Sequence, residues 1–542
     1  MDYLTIIIFI GYFLLILFVG LWVSRKGQND ADDYFLAGRK LPWYAVGLSM
    51  IGSNISTEHF IGMVGAAYIF GISPANYDQT AFFSMTLMIF IFLPYYFRNK
   101  LYTIPQFLER RFNKNTRTIF AILTIFHMVL VLLAGALYAG GLIFQEIFSP
   151  EGVLLSASGK ISSSLVLGIL VIAITTGIYS IYGGLTSVVW TDVLQTIILI
   201  FAGFFVTIIA LKNAGGWNAM WEVNQAAGEE RVHLIQSSMD SFAPWPGIMA
   251  LFLTLGVWYN CTNQFYIQRC FGARSEWDSR MGIVLAGAIK QFLPLIIVIP
   301  GIIAFSIYGK DVPQDKVFLL MLNDLLPPFL KSLVLTGLAA AIMSTVSSLL
   351  NSSSTVFTID IYQQYINPNA DQPYLLKIGR WSTFFILLAA IVWAPFILHF
   401  GEGLFVYIQD MASYFAPSIA AIFLVGILWR RMSASAANVT LVGGIFIGIG
   451  LKLLSGIMHG SIGQFIQPFL NRALVNWVLC LLLIVSISLL SKKRNLPSDI
   501  IWKPSYSKLP IEERKKFTGW KSFYLWWGVV LIVRIIIYFI YG

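Results

Sequence analysis

Charge is scarce in this chain. Asp, Glu, Lys and Arg supply 11% of its 542 residues, against about 25% in soluble domains, while hydrophobic residues supply 57% and the mean hydropathy is +0.75. A water-soluble fold is excluded. Cysteine is scarcer still: Cys261, Cys270 and Cys480 are too few and too dispersed for a disulfide framework or a zinc site. No Ser/Pro-rich or low-complexity linker interrupts the sequence, so it reads as a single membrane domain over 1–542. No nucleophile–base pair, metal-ligand cluster or phosphate loop stands out, which argues against an enzyme.

What is abundant is apolar runs long enough to span a bilayer, roughly 20 residues each. They centre on 3–23, 42–69, 79–97, 118–147, 161–182, 188–211, 245–268, 279–308, 329–350, 378–397, 403–427, 435–455, 473–491 and 522–541. The expectation is fourteen spans in an all-α polytopic membrane protein. The first run lacks a basic segment before it and a small-residue cleavage site after it, so it reads as a retained helix rather than a signal peptide. The net charge of +10 sits mostly in alternate loops. With the N-terminus placed outside, 26 of the 36 Lys and Arg residues fall on the inner side, 7 on the outer side and 3 within spans. That asymmetry follows the positive-inside rule, so both termini are expected outside and the basic excess reports topology rather than nucleic-acid binding. The basic, amphipathic loop 98–117 is expected along the inner headgroup surface.

Two spans are odd. Gly47–Tyr68 carries Ser53, Asn54, Ser56, Thr57, Glu58 and His59 at its middle, and hydrocarbon offers such groups no partner. They are tolerated where a helix breaks around an enclosed cavity. Five spans later, 245–268 carries Trp258, Tyr259, Asn260, Thr262, Asn263, Gln264 and Gln268. Matching broken spans five apart suggest inverted repeats, 42–211 and 245–427, flanked by an extra helix at 1–23 and further helices over 435–542. Transporters of that design bind solute and ion near the midplane.

Other polar residues add to this picture. In span nine, Ala341, Ser344, Thr345 and Ser348 lie at i, i+3, i+4 and i+7, one helix face. A hard cation such as sodium needs several oxygens, which hydroxyls and broken-helix carbonyls supply; small residues that simply let helices pack closely give the same pattern. Asp192, near the inner end of span six, needs a cation, a donor or interfacial water. Facing Ser344, Ser347 and Ser348 it would form a second oxygen cage. Lys290 lies too deep in span eight to snorkel and is expected to face a polar cavity. Asp78 and Glu58 add polarity near the break, and His59 is read as a ligand-binding group able to titrate near neutrality. Arg534, near the end of the last span, is assigned no role.

These segments resemble the solute:sodium symporter family, in particular its sodium/glucose (sodium/galactose) cotransporter branch. The resemblance rests on DYFLAGRKLPWYAVGLSMIGSNISTEHFIG (33–62), YTIPQFLERRFNK (102–114), YSIYGGLTSVVWTDVLQ (179–195), AAAIMSTVSSLLNSSSTVFTIDIY (339–362) and YIQDMASYFAPSIAAIFLVGILW (407–429). It implies a LeuT-like core of two inverted five-helix repeats and sodium-coupled symport of a glucose- or galactose-like sugar into the cell across the plasma membrane. Another cargo, myo-inositol, sialic acid or a small carboxylate, is the alternative. The resemblance places sodium on backbone oxygens of Gly52, Ile55 and Ala341 and the hydroxyls of Ser344 and Thr345. A second sodium would lie among Asp192, Ser344, Ser347 and Ser348, and because Ser347 stands where some single-sodium relatives have alanine, the resemblance favours two ions per cycle. The solute positions are Asn54, His59, Asp78, Tyr259, Asn260, Lys290 and Gln409, with Tyr259 stacking on the sugar ring and closing the inner exit. The sequence also departs from the family: Asp78 stands where Glu is common, Asn260 replaces an aromatic of some relatives, and Leu132 and Ala81 stand where bacterial galactose transporters have Asn and Ser. Small-molecule solute, sodium and lipid are the implied partners, with no obligate protein partner.

Overall fold

Residues 3–24, 30–56, 58–148, 162–400, 404–492 and 500–542 are described by a computed structural model in which, among those residues, helices form and no strand does. Ten helices are long and apolar enough to cross a membrane, or eleven if the bent pair Glu276–Phe292 and Pro294–Tyr308 is one span. The longest, Ser163–Asn213, has 51 residues. Drawn straight it would run about 75 Å, more than twice the hydrocarbon thickness of about 30 Å. It turns instead at Gly184, with φ +51° and ψ −156°, a backbone region essentially confined to glycine. The carbonyl of Tyr34 occupies the place where a Cβ would project. This turn separates the two spans that the sequence divides there.

We number the elements α1 (Tyr3–Ser24), α2 (Trp43–Asn54), α3 (Val64–Phe70), α4 (Ala75–Arg98), α5 (Lys114–Gln145), α6 (Ser163–Asn213), α7 (Trp245–Leu251), α8 (Gln264–Phe271), α9 (Glu276–Phe292), α10 (Pro328–Val356), α11 (Gln372–Trp393), α12 (Leu404–Leu428), α13 (Ala434–Ile457), α14 (Phe469–Leu490) and α15 (Phe523–Tyr541). Both odd spans are interrupted. The first runs as α2, a break at Ile55, a π-helical stretch Glu58–Met63 and then α3. The second runs from α7 through a short turn and the π-helical stretch Trp258–Thr262 to an extended Asn263 (φ −85°, ψ 118°), then α8. π-Helical turns of this kind recur at functional sites.

The Ser-rich α10 is the hub. Its apolar window is 94% buried, against 17% for α15, so its hydroxyls face protein rather than lipid. α1 packs on α6, with Ser187 donating to the Gly20 carbonyl (3.0 Å) and Gln195 to Tyr12 (2.9 Å).

The basic loop expected at the headgroup surface folds into the protein instead. Arg111 is buried and donates to the carbonyls of Gly426 (2.6 Å), Trp429 (3.0 Å) and Met432 (3.2 Å), satisfying the open end of α12. Near the C-terminus, Trp502 (3.0 Å) and Ser507 (3.2 Å) both donate to the Phe90 carbonyl, within the π-helical stretch of α4.

Candidate functional site

The break after α2 has a local cause. In a continuous helix the Ser56 N–H would reach back to the Gly52 carbonyl; here it donates to the His59 ring at Nδ1 (3.4 Å). The His59 N–H, which would serve Ile55, goes to Ser56 (3.0 Å). The carbonyls of Gly52 and Ile55 thus lose their helical donors. Thr345 of α10 faces this break, its hydroxyl lying 3.4 Å from the Ser53 carbonyl and 3.1 Å from the Ala341 carbonyl. An ideal Cβ on Gly52 would stand 3.3 Å from the Ser344 hydroxyl and 3.0 Å from the Asp192 carbonyl. Glycine therefore lets α2 approach α6 and α10 closely. Backbone oxygens without their i+4 helical donors, beside hydroxyls, suit a hard monovalent cation.

Asp192 is fully buried, and its surroundings depart from the expected second cage. Oδ1 accepts from Ser344 (2.5 Å); Oδ2 accepts from Ser49 (2.5 Å), Ser53 (3.2 Å) and the Arg269 guanidinium (3.1 Å). Arg269 is 1% exposed and also donates to Ser49, Ser53 and Ser348. Ser347 turns away, its hydroxyl donating to the Ser344 carbonyl (2.9 Å). The cation at Asp192 in this structure is an arginine. Arg269 escaped the sequence reading because it lies one residue beyond the span drawn as 245–268, where a basic residue resembles ordinary inner-loop charge.

All seven expected solute residues line one cavity of about 100 Å³: Asn54, His59, Asp78, Tyr259, Asn260, Lys290 and Gln409. They come from both interrupted spans and from α4, α9 and α12. A chain of hydrogen bonds crosses the cavity, from Asn54 Nδ2 to Tyr259 Oη (2.8 Å), from Lys290 Nζ to Asn54 Oδ1, and from Lys290 Nζ to Asp78 Oδ1 (2.7 Å). The Lys290–Asp78 pair is buried, its opposite charges cancel, and it ties α4 to α9. Two buried acceptors, Asp78 Oδ2 and Asn260 Oδ1, have no donor among the described residues. Because His59 Nδ1 accepts a backbone N–H, its proton is assigned to Nε2, making that edge a donor. Tyr77 and Phe405, edge to face at 5.1 Å, supply apolar wall that nothing in the sequence marked. The Glu58 side chain lies outside the described residues.

A second cavity of about 50 Å³ adjoins the first, lined by Ser53, Ser56, Phe265 and Thr345. Asn54 and Tyr259 line both, so their hydrogen bond stands between the solute cavity and the chamber beside the α2 break.

Two interrupted helices, freed carbonyls against a hydroxyl-bearing hub, and a donor–acceptor cavity at the same depth define an ion-coupled solute transporter with a LeuT-like fold. A profile of the Sodium:solute symporter family matches residues 34–445. The chain is 35% identical over 517 residues to a sodium/glucose cotransporter of Vibrio parahaemolyticus, covering 90% of this chain and 91% of that one. It is 30% identical to a sodium/myo-inositol cotransporter 2 of Mus musculus, over 83% of this chain and 70% of the relative. A solved sodium-coupled sialic acid symporter, in a substrate-bound outward-open state, superposes with a TM-score of 0.77 at 20% identity, covering 91% of this chain and 99% of its own. At that identity the likeness concerns fold. The chain belongs to the sodium:solute symporter family: it is a sodium-coupled transporter rather than an enzyme.

Proposed function

We propose that the protein carries a neutral sugar or cyclic polyol into the cell with sodium, by alternating access. One observation carries this choice of solute. Lys290 is already neutralised by Asp78, so the cavity has no spare positive charge for a carboxylate, while Asp78 Oδ2 and Asn260 Oδ1 await hydroxyl donors. Buried polar groups without partners reward a substrate that supplies them and reject one that does not. Glucose or galactose is the first reading and myo-inositol the second, in keeping with the sodium/glucose and sodium/myo-inositol relatives. Leu132 and Ala81 both line the cavity, so two positions offer no hydrogen bond, which ranks glucose ahead of galactose within the first reading.

Sodium on the oxygens of Gly52, Ile55, Ala341, Ser344 and Thr345 would pin the break of α2 to α10. Asn54 sits inside that same break, so fixing the carbonyls orients Asn54, and through it Tyr259 and Lys290. Release of sodium loosens Asn54, parts the Asn54–Tyr259 bond and opens the solute cavity toward the second chamber. With Arg269 on Asp192, we assign one sodium per cycle. Fourteen crossings, repeats over 42–211 and 245–427, and both termini outside the plasma membrane complete the reading. The test is uptake into proteoliposomes under an imposed inward sodium gradient, with unlabelled solutes competing. Neutral sugars or cyclic polyols should compete and sialic acid should not; competition by carboxylates alone would overturn the assignment.

A further inference from the structure

A wedge between the first half of α6 and α11 has no part in the transport path. It encloses about 650 Å³ and is lined by Ile178 and Tyr182 on one side and Lys377, Arg380, Trp381 and Phe384 on the other. The helices nearly touch at Gly177, where an added Cβ would meet Leu387, and they part toward Tyr182 and Lys377. Tyr34, fully buried, bridges the two helices, with its hydroxyl 3.4 Å from Thr383 and 3.3 Å from the Ile181 carbonyl. The narrow end is apolar. The wide end carries two cations.

Those cations lack the partners that satisfy other arginines here. Arg117 pairs with Glu109 and Asp360, Arg280 with Glu276, and Arg472 with Asp410. Among the described residues neither Lys377 nor Arg380 pairs with a carboxylate, and Arg380 Nε is buried without any hydrogen-bond partner. The nearby Asp371 is engaged in capping α11, accepting from the Tyr374 N–H (2.9 Å). Tyr182 (59% exposed) and Trp381 (53% exposed) stand at the same level, the place amphipathic rings take at a membrane–water interface. A buried donor left open at the mouth of an apolar wedge calls for an anion joined to a hydrocarbon chain.

We infer that this wedge binds an anionic phospholipid, with its phosphodiester on Lys377 and Arg380 and an acyl chain along Ile178 and Phe384. Basic pockets between membrane helices on the cytoplasmic side recognise anionic headgroups in this way. The inference uses the proposed orientation, which places Lys377 on the inner side. The lipid would brace α6 against α11, next to the Gly184 turn.

The test is native mass spectrometry of the full chain in mixed micelles holding phosphatidylglycerol and phosphatidylcholine in equal amounts. Wild type should retain phosphatidylglycerol about thirtyfold better, in line with two basic contacts. K377Q/R380Q should bring the two lipids level, and I178W, which fills the wedge and leaves both cations, should lower phosphatidylglycerol retention. Folding of each variant is checked by sodium-driven uptake, and if K377Q/R380Q fails to fold, I178W decides. Equal retention by wild type, preference unchanged in a folded K377Q/R380Q, phosphatidylglycerol retention unchanged in I178W, or displacement of the lipid by millimolar inorganic phosphate would overturn the inference.

Discussion

Thr345 and Asn54 line one chamber at the backbone break, and in the proposed mechanism that adjacency is the residue-scale basis of coupling. Replacing Thr345 by Ala removes one hydroxyl oxygen from the proposed ion site, a loss of about 1–1.5 kcal/mol. The sodium concentration for half-maximal uptake should therefore rise about tenfold, while T345S stays near wild type; an unchanged sodium requirement in T345A would remove the site. Lys290 and Asp78 behave as a unit. Lys290→Met leaves a buried carboxylate alone and should destabilise the protein by about 3–5 kcal/mol, seen as a lower thermal midpoint. K290Q/D78N should recover most of that stability without recovering transport, because the acceptor at Asp78 Oδ2 is gone. Recovery of uptake along with stability would make the pair structural only.

At the scale of elements, glycine decides where helices meet and turn. Gly52→Ala places a methyl 3.0 Å from the Asp192 carbonyl and against Thr196; it should push α2 off α6 at a cost of about 1–3 kcal/mol and weaken sodium affinity more than solute affinity measured at saturating sodium. Gly184→Ala forces a side chain into a glycine-only conformation and should reduce the yield of folded protein, read by size exclusion. The two interrupted spans were legible in the sequence, because polar residues in the middle of a bilayer-length apolar run have few physical explanations. So was the shared cavity, whose seven residues converge as the family resemblance implied. What was not legible were pairings set by tertiary packing. Lys290 meets Asp78 across 212 residues of chain, and Arg269 reaches Asp192 across 77; no periodicity carries such information. Arg534 illustrates the same limit. It reads as a stray charge in a terminal helix, yet it is fully buried, stacks 3.7 Å over Tyr538 and donates to Gln79, the neighbour of Asp78.

For the whole molecule, the proposed one sodium ion per cycle would set a ceiling. Moving one charge through 100 mV is worth about 2.3 kcal/mol and a tenfold sodium gradient about 1.4 kcal/mol. Together they support accumulation of roughly 500-fold, and the sodium dependence of uptake should show a Hill coefficient near 1. A coefficient near 2, lowered by Asp192→Asn, would mean that a second sodium displaces Arg269 from its carboxylate during the cycle.

If sodium at the α2 break preorganises the solute cavity, as proposed, linkage makes the effect measurable at equilibrium. Solute affinity of the purified protein should be determined in sodium and in choline, alongside sodium affinity with and without solute. Solute should bind about tenfold tighter in sodium, with the same factor in the reciprocal titration and loss of both in T345A. Equal solute affinity in sodium and choline would contradict it.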